Sequence, residues 1–361
     1  MPLAAQAFPP AKSTFVQHLL QLDQQQLQTW LAERGQPRYR AAQIRSWVYE
    51  KRAGSFDEMS NLPKALRDDL AAAFTLWTAR PAAHLKAEDG TEKLLLELAD
   101  GHRIECVLLR QGPLRRTICI STQVGCAMGC VFCASGLEGV ARNLTRGEIV
   151  EQMLQLNRLL DPHERLSHIV VMGMGEPLAN LDALLPALGE ASDAAGLGIS
   201  ARRITISTVG LPVALNRLAE ARIPYHLAVS LHAPNDELRN RLVKVNAKIG
   251  LDAILSAADH YFARTGRRLT FEYVLLADEN DSVAHARELA ARLRGREALI
   301  NVIPYNPVAG LPYGTPDDTT VERFVATLEA GGVRVKVRRR KGDKINAACG
   351  QLRRSHAQVV L

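Results

Sequence analysis

The sequence predicts an α/β fold built on a partial (β/α)6 barrel, with a small helical unit ahead of it. Two observations lead to this prediction. From Thr117 onward, short apolar strands alternate six times with helical stretches, which is the pattern of a parallel sheet with right-handed crossovers. A closed barrel of this type uses eight units, so six units predict an open one. In addition, polar motifs follow the strands at their carboxyl ends, the edge where βα folds gather their sites.

The barrel strands are predicted from short apolar runs that cover Thr117–Ser121, His168–Met172, Arg203–Ser207, Tyr225–Ser230, Leu269–Leu275 and Leu299–Ile303. The helix after the first strand begins with a capping-box pattern, Thr145-x-x-Glu148, in which two side chains satisfy backbone N–H groups. Further helices are predicted over residues 181–195, 212–221, 251–264 and 283–294, and a helix over 318–330 follows the last strand.

Two smaller parts precede the barrel, which we assign to residues 113–361. Residues 1–80 form a helical accessory unit, with helices predicted over 15–22, 24–32, 39–51 and 63–74. Ser13 and Asp23 are the expected N-caps of the first two. Residues 81–112 form a β-hairpin linker, because two strand-like runs flank Asp100-Gly101. Glu105 lies in the second of these strands, and the alternating pattern predicts that its carboxylate faces outward.

Composition excludes several classes of protein. No apolar run approaches the roughly 18 residues of a membrane span, and the amino terminus lacks the basic start of a secretory signal. Six cysteines in 361 residues, three of them clustered, do not resemble a disulfide framework. We therefore expect a cytoplasmic protein.

Positive charge is concentrated near the carboxyl end. The chain has 45 basic and 38 acidic residues, a net charge of +7. This segment could be a solvated strand and loop, but a phosphate-contacting surface is the favoured interpretation. Its cations are Arg334, Lys336, Arg338, Arg339, Arg340, Lys341, Lys344, Arg353 and Arg354.

A cysteine motif follows the first predicted strand. Cys126, Cys130 and Cys133 have the spacing C-x-x-x-C-x-x-C, and no fourth cysteine follows at ligand spacing. Thiolates favour iron–sulfur clusters, zinc or copper(I), but structural zinc requires four protein ligands. A [4Fe–4S] cluster held by three cysteines leaves one iron open to a small molecule. The alternative is that the three cysteines are buried core residues without a ligand. Their close spacing in a glycine-containing loop disfavours this interpretation.

The other candidate residues are ambiguous when each is taken alone. Gly173-Met174-Gly175-Glu176-Pro177 could be a turn, Ser207 a strand-end hydroxyl and His232 a hydrogen-bonded core histidine. Asn306 could be a turn residue, and Cys119 a buried strand residue, as we also expect of Cys106. Cys349 could be a small apolar residue, but nearby cations would favour its thiolate.

Taken together, four stretches closely resemble the radical S-adenosylmethionine (radical-SAM) ribosomal RNA adenine methyltransferases of the RlmN/Cfr type. They are Cys119 with the cysteine motif, Gly173–Pro177, Ser230-Leu231-His232-Ala233-Pro234-Asn235 and Ala347-Ala348-Cys349-Gly350-Gln351-Leu352. The resemblance implies that Cys126, Cys130 and Cys133 bind a [4Fe–4S] cluster. It also implies that Cys349 carries a methyl group, that Cys119 resolves a covalent intermediate and that Glu105 is the proton acceptor. The implied S-adenosylmethionine contacts are Gly175, Glu176, Ser207, Ser230, Leu231, His232 and Asn306.

The implied reaction is methylation of carbon-2 of adenine in 23S rRNA and in tRNA. This carbon is electron-poor and cannot attack a methyl sulfonium, so a radical route is needed. Two S-adenosylmethionine molecules would be used in each turnover, one to methylate Cys349 and one to activate that methyl group. A protein–RNA adduct and then a Cys119–Cys349 disulfide would follow. We further expect an electron donor such as a flavodoxin-type reductant, and a monomer, because nothing in the sequence demands more than one chain. The basic residues of the accessory unit could bind RNA, and a solvated helix face is the alternative.

Three alternatives stay open at this point. The same mechanism could act at carbon-8 of adenine. A radical-SAM enzyme could instead modify a small molecule or a protein, although the basic segment and Cys349 argue against this. A non-catalytic RNA-binding protein could use its cluster as a redox sensor, but it would not need Cys119 and Cys349.

Overall fold

The structure, a computed structural model, describes residues 16–338, 342 and 345–353. The predicted N-cap Ser13 therefore lies outside the described residues. So do five cations of the basic segment: Arg339, Arg340, Lys341, Lys344 and Arg354.

One ten-stranded sheet forms the frame of the molecule, with two small two-stranded sheets beside it. The strands of the large sheet lie in the order β14-β13-β12-β11-β10-β9-β6-β5-β4-β3. Strands β6 and β9 to β14 are parallel, whereas β3 to β6 pair antiparallel. The strands are β1 Gln17–His18, β2 Phe74–Thr75, β3 Arg80–Lys86, β4 Glu92–Glu97, β5 Arg103–Gln111, β6 Arg115–Cys119, β7 Gln123–Gly125, β8 Val140–Asn143, β9 His168–Val171, β10 Ile204–Thr208, β11 His226–Ser230, β12 Leu269–Leu275, β13 Ala298–Pro304 and β14 Arg334–Val337.

All six predicted barrel strands are present and parallel, so the open α/β barrel is confirmed. A seventh parallel strand, β14, lies in the basic segment and pairs with β13; a strand there was only the alternative interpretation, and it was not counted among the barrel strands. The helix over 318–330 is therefore followed by another strand. The predicted hairpin is also present as β4 and β5, but β3 and β6 extend it to four antiparallel strands.

The helices cover the outer face of the sheet and form most of the amino-terminal unit. They are α1 Gln24–Ala32, α2 Tyr39–Tyr49, α3 Lys64–Ala73, α4 Arg146–Asn157, α5 Leu181–Ser192, α6 Pro212–Glu220, α7 Asp236–Leu242, α8 Leu251–Thr265, α9 Val283–Leu293 and α10 Asp318–Ala330. The capping box at Thr145 is formed as predicted. Among the described residues, none of these helices has the length and apolar character needed to cross a bilayer.

The helix predicted over residues 15–22 is wrong where the structure describes it. Gln17 and His18 form β1, which pairs with β2, and Leu19–Gln21 is a short 3-10 turn. Leu19 and Leu20 are both buried. Pairing with β2 together with burial of two adjacent leucines outweighs the local helical pattern.

The amino-terminal unit is fixed to the barrel by a buried ionic network. Arg45 of α2 and Arg146 of α4 each contact one carboxylate oxygen of Glu190 on α5, at 2.8 and 2.9 Å. The Tyr49 hydroxyl donates to the same carboxylate at 3.0 Å. Two cations and a hydroxyl compensate the desolvated carboxylate, so removing one partner would leave a buried charge without full compensation.

Alternation along the strands decides which side chains face the barrel lumen. In β12, Leu269, Phe271 and Tyr273 are buried in the apolar core, whereas Thr270 and Glu272 line the lumen. Because successive side chains of a strand point to opposite faces, each barrel strand contributes every second residue to the interior.

Candidate active site

A cavity of about 150 Å³ opens at the carboxyl ends of the parallel strands. It brings together residues that lie more than 200 positions apart in the sequence. Six of the seven predicted S-adenosylmethionine contacts line it, together with all three motif cysteines and Cys349. Those lining residues are Cys126, Cys130, Cys133, Gly175, Glu176, Ser207, Ser230, His232, Asn306 and Cys349.

The cysteine loop is held in place by backbone hydrogen bonds. The Cys126 N–H donates to the Gly139 carbonyl at 3.0 Å, and the Val131 N–H donates to the Leu242 carbonyl at 3.0 Å. Gly129, between two of the cysteines, has a φ of +66°, a conformation that suits glycine. The loop therefore presents its thiols from a defined backbone.

Burial and mutual proximity keep the three thiols protonated when no metal is bound. Burial is the main cause that raises the pKa of Cys126 to about 12, and the neighbouring Cys133 contributes to this rise. Burial also raises the pKa of Cys130, with Cys133 and Cys126 adding to the effect. Each thiol must therefore lose a proton before it can bind a metal.

The donor set fits an iron–sulfur cluster better than a single ion. Among the described residues, no three histidine, cysteine or acidic side chains are close enough to hold one metal ion. A [4Fe–4S] cluster is wider than an ion, so its ligands need to stand farther apart. Three soft thiols that line one cavity are suitable ligands for such a cluster, and they leave one iron free.

Glu176 is oriented by backbone N–H groups. One carboxylate oxygen accepts from the Leu178 N–H and the other from the Val209 N–H, both at 3.0 Å. The Glu176 N–H donates to Gln123 Oε1 at 2.8 Å. Burial raises the pKa of Glu176, and these donors oppose the rise. The carboxylate is thus held ready to accept from a cationic group such as an amine.

Arg239 ties the ends of two barrel strands together, and sequence reasoning missed it. Its guanidinium is 0 % exposed. It donates to the carbonyls of Leu231 at 2.9 Å, Val209 at 2.7 Å and Ser230 at 2.9 Å. Its position on the short helix α7 gave no signal, because an arginine there predicts a solvent-facing residue.

His232 and Leu231 contribute in different ways. His232 has a φ of +61°, its Nδ1 accepts from the Val274 N–H at 3.0 Å, and its ring packs edge-on against Phe132. Burial lowers the pKa of His232 to about 3, so the ring is neutral. The Leu231 side chain is buried in the core and is the one predicted contact absent from the cavity lining.

The segment that carries Cys349 is hydrogen-bonded to the residues that follow the cysteine motif. The Ala134 N–H donates to the Gly350 carbonyl at 2.8 Å, and Ser135 Oγ donates to the Leu352 carbonyl at 2.6 Å. Asn306 Nδ2 donates to the Cys349 carbonyl at 3.2 Å. These contacts hold Cys349 at the cavity rather than on a remote surface.

Cys119 lies in the lumen beyond Cys349. Cys349 is close enough to Cys119 and to Cys133 to raise the pKa of both. Burial is the main cause that raises the pKa of Cys119 to about 12, and the nearby Arg338 guanidinium opposes it. All six cysteines are free thiols, and Cys106 is fully buried in the core as expected.

Comparisons with known proteins agree with this architecture. Residues 17–76 match the ribosomal RNA large subunit methyltransferase N-terminal domain, and residues 120–290 match the radical SAM superfamily. A probable dual-specificity RNA methyltransferase RlmN from Rhodopirellula baltica is 63% identical over 342 residues, which cover 95% of this chain and 92% of that protein. The chain belongs to the RlmN family.

Other RlmN relatives and a solved structure extend the match. The probable dual-specificity RNA methyltransferase RlmN of Lysinibacillus sphaericus is 45% identical over 91% of this chain and 86% of its own. The crystal structure of a radical SAM methyltransferase from Sphaerobacter thermophilus superposes with a TM-score of 0.91 and is 44% identical, covering 94% of this chain and 100% of that one. As an RlmN-family radical SAM methyltransferase, the protein uses a [4Fe–4S] cluster and S-adenosylmethionine.

In this RlmN-family chain, the position of the Glu105 side chain contradicts the prediction made from the alternating pattern. It does not face outward: it is 6 % exposed, ion-paired with Lys93 at 2.8 Å and accepts from the Arg353 N–H at 3.0 Å. The face of β5 that carries it also contributes Val107 and Leu109 to the lumen. A polar side chain on the lumen face gives the same alternating pattern as one facing solvent.

Proposed function

We propose that this RlmN-family protein methylates carbon-2 of an adenine in 23S rRNA and in tRNA, through S-methylated Cys349 and a transient protein–RNA adduct. The observation that carries the proposal is the placement of Cys349. It lines the same cavity as the three motif cysteines and lies within electrostatic range of Cys119.

Cys126, Cys130 and Cys133 are the residues proposed to hold the cluster. Glu176 is proposed to hold the S-adenosylmethionine amine, with Gly175, Ser207, Ser230, Leu231, His232 and Asn306 as the other contacts. When bound, the two groups supply one-electron hydrogen abstraction, which no amino-acid side chain can perform alone. Asn306 Oδ1 is buried and has no hydrogen-bond partner among the described residues, which supports a ligand at this position.

The cysteines and Glu105 perform the remaining steps in this proposal. The Cys349 thiolate attacks the methyl carbon of one S-adenosylmethionine, so that an S–CH3 bond forms, the methyl–sulfonium bond breaks and S-adenosylhomocysteine leaves. Glu105, whose pKa is raised by burial, takes the ring proton. The Cys119 thiolate attacks the Cys349 sulfur of the adduct, the carbon–sulfur bond breaks and the freed carbon is protonated. The resulting disulfide is reduced by an external thiol.

The reaction setting follows from the same chemistry. A cluster with an open iron and a disulfide that must be reduced in each turnover both call for a reducing compartment, so we place the protein in the cytoplasm. A flavodoxin-type donor would supply the electron, and the site needs residues of one chain only, consistent with a monomer.

Nucleoside analysis tests the proposed product. We expect 2-methyladenosine in 23S rRNA and tRNA from cells that contain the protein, and its loss from cells that lack it, measured by mass spectrometry. Appearance of 8-methyladenosine instead would move the reaction to carbon-8. No change in methylated adenosine would refute the proposal.

Variants of the two lumen cysteines test the route. Cys119→Ala should accumulate a covalent protein–RNA adduct on a denaturing gel, whereas Cys349→Ala should abolish both adduct and methylation. Cys106→Ala is the matched control, because Cys106 is a buried thiol in the core. Methylation by Cys349→Ala would contradict the route, and absence of 5′-deoxyadenosine from the wild-type holoenzyme would favour a redox sensor.

A further inference from the structure

A second and larger cavity, of about 880 Å³, occupies the lumen below the candidate active site. It reaches from the amino-terminal ends of the parallel strands to Cys119 and Cys349. We call its open end the cationic mouth. The mouth is lined by Arg115, His168, Arg203, His226, Arg268 and Lys336.

The mouth is suited to a polyanion. Arg115, Arg203, Arg268 and Lys336 are exposed, and among the described residues no carboxylate forms an ion pair with any of these four. Four uncompensated cations around an open cavity attract phosphates and add a salt-dependent contribution to binding. RNA that enters here meets Cys349 from below, on the side opposite the cysteine loop.

Glu272 lies midway between the mouth and the thiols. It is in the middle of β12, 4 % exposed, and lines both cavities. Its Oε1 accepts from Asn301 Nδ2 at 2.9 Å, a residue directly opposite on β13. Its Oε2 has no hydrogen-bond partner among the described residues. A buried carboxylate oxygen without a donor is rare, and a ligand donor is a common explanation.

The chemistry of adenine supplies such a donor. Adenine carries an exocyclic amine with two N–H groups, whereas guanine presents a carbonyl oxygen at the equivalent position. A carboxylate therefore accepts from adenine and repels guanine. Burial raises the pKa of Glu272, and the Arg338 guanidinium, which lines both cavities as well, opposes this rise and favours the charged form.

We propose that the target adenine enters through the cationic mouth and donates a hydrogen bond from its exocyclic amine to Glu272 Oε2. Glu272 is then the residue that selects adenine over guanine, and the mouth holds the adjoining phosphates. This inference rests on the proposed function, because it takes adenine as the substrate base.

Removal of the exocyclic amine from the target base of the RNA tests the hydrogen bond to Glu272. An RNA hairpin that the wild-type holoenzyme methylates is synthesised with adenosine or with purine riboside, which lacks the amine, at the target position. Affinity is measured by fluorescence anisotropy without S-adenosylmethionine, so that altered ring reactivity does not enter. Wild-type protein should bind the purine RNA about 10-fold more weakly, as expected for one lost base contact.

Variants of Glu272, measured with both RNAs, complete a double-mutant cycle between the side chain and the amine. Glu272→Ala should bind the adenosine RNA about 10-fold more weakly than wild type, with no further loss on the purine RNA. Glu272→Gln keeps an acceptor oxygen and the side-chain volume, so it should retain part of the discrimination. Thr270→Val is the matched control on the same strand and lumen face, and it should leave the ratio between the two RNAs unchanged.

Each opposing result has a distinct meaning. Equal binding of both RNAs by wild-type protein overturns the inference without the use of any variant. Discrimination that persists in Glu272→Ala also overturns it. If Glu272→Ala instead lowers RNA-independent formation of 5′-deoxyadenosine, Glu272 faces S-adenosylmethionine and the inference fails. Absence of 2-methyladenosine from the wild-type reaction refutes the proposed function, a separate outcome that is read before any affinity is compared.

Discussion

The two ends of the barrel lumen are built in opposite ways. At the carboxyl end, polar groups are buried and already paired: Glu176 accepts two backbone N–H groups and Arg239 donates to three carbonyls. At the amino end, Arg203, Arg268 and Lys336 are exposed and form no ion pair with any described carboxylate. One end therefore has polar groups of fixed geometry, whereas the other has exposed cationic side chains without a carboxylate partner among the described residues.

This difference matches two kinds of ligand. A small cofactor of constant shape gains from groups that are oriented before it binds. An RNA loop varies in shape, and long cationic side chains can follow its phosphates at little geometric cost. In our proposal the lumen thus combines a rigid cofactor site with an adaptable polyanion site, and the target base meets Cys349 between them.

The largest effect is expected from Gly175→Ala at the rigid end. Gly175 has a φ of +103°, and an added Cβ would lie 2.6 Å from Gln123 Cβ. Because Gln123 positions the Glu176 N–H, formation of 5′-deoxyadenosine by the reduced holoenzyme should fall about 100-fold. Gly310→Ala is the control, since its φ is +88° but nothing lies within 4 Å. Equal loss in both variants would show that backbone strain alone, rather than cofactor geometry, is responsible.

A smaller effect is expected at the adaptable end. Replacing Arg203 and Arg268 together with glutamine should weaken RNA binding about 10-fold at low salt. The slope of log affinity against log salt should become shallower by about 2. Affinity measured at several salt concentrations checks both values. Arg287→Gln with Arg323→Gln removes the same charge from exposed sites on the outer helices α9 and α10. Should that control lose as much, net charge rather than the mouth would explain RNA binding.

The smallest effect is expected at Arg338, between the two ends. Its cation favours the Cys119 thiolate, so Arg338→Met should raise the pKa of Cys119 further above its ordinary value. Iodoacetamide labelling of Cys119, followed by mass spectrometry across pH 7–10, should then shift to higher pH and slow several-fold at pH 8. Arg338→Lys keeps the charge and should preserve most of the profile. An unchanged profile in Arg338→Met would exclude this electrostatic role.

Periodicity in the sequence predicted the apolar framework closely. Helix α10 and strand β12 begin and end at the predicted residues, because each packs one apolar face against the continuous core. The polar interior could not be predicted in the same way. Glu105 and Glu272 alternate with apolar neighbours on their strands, and Arg239 lies on a short polar helix, and both patterns are equally typical of a solvent-facing position. Only the curvature of the sheet and the return of residues 345–353 show that these charges point inward.

The unbroken sheet has a mechanical consequence. Backbone pairing runs without interruption from β3 to β14, and the Glu190 network clamps the amino-terminal helices to the same body. A bend between the antiparallel and parallel halves would have to break the β5–β6 ladder. We therefore expect the protein to keep one shape when its substrate binds. The conformational change, in which a nucleotide is unstacked and turned out, then takes place in the RNA.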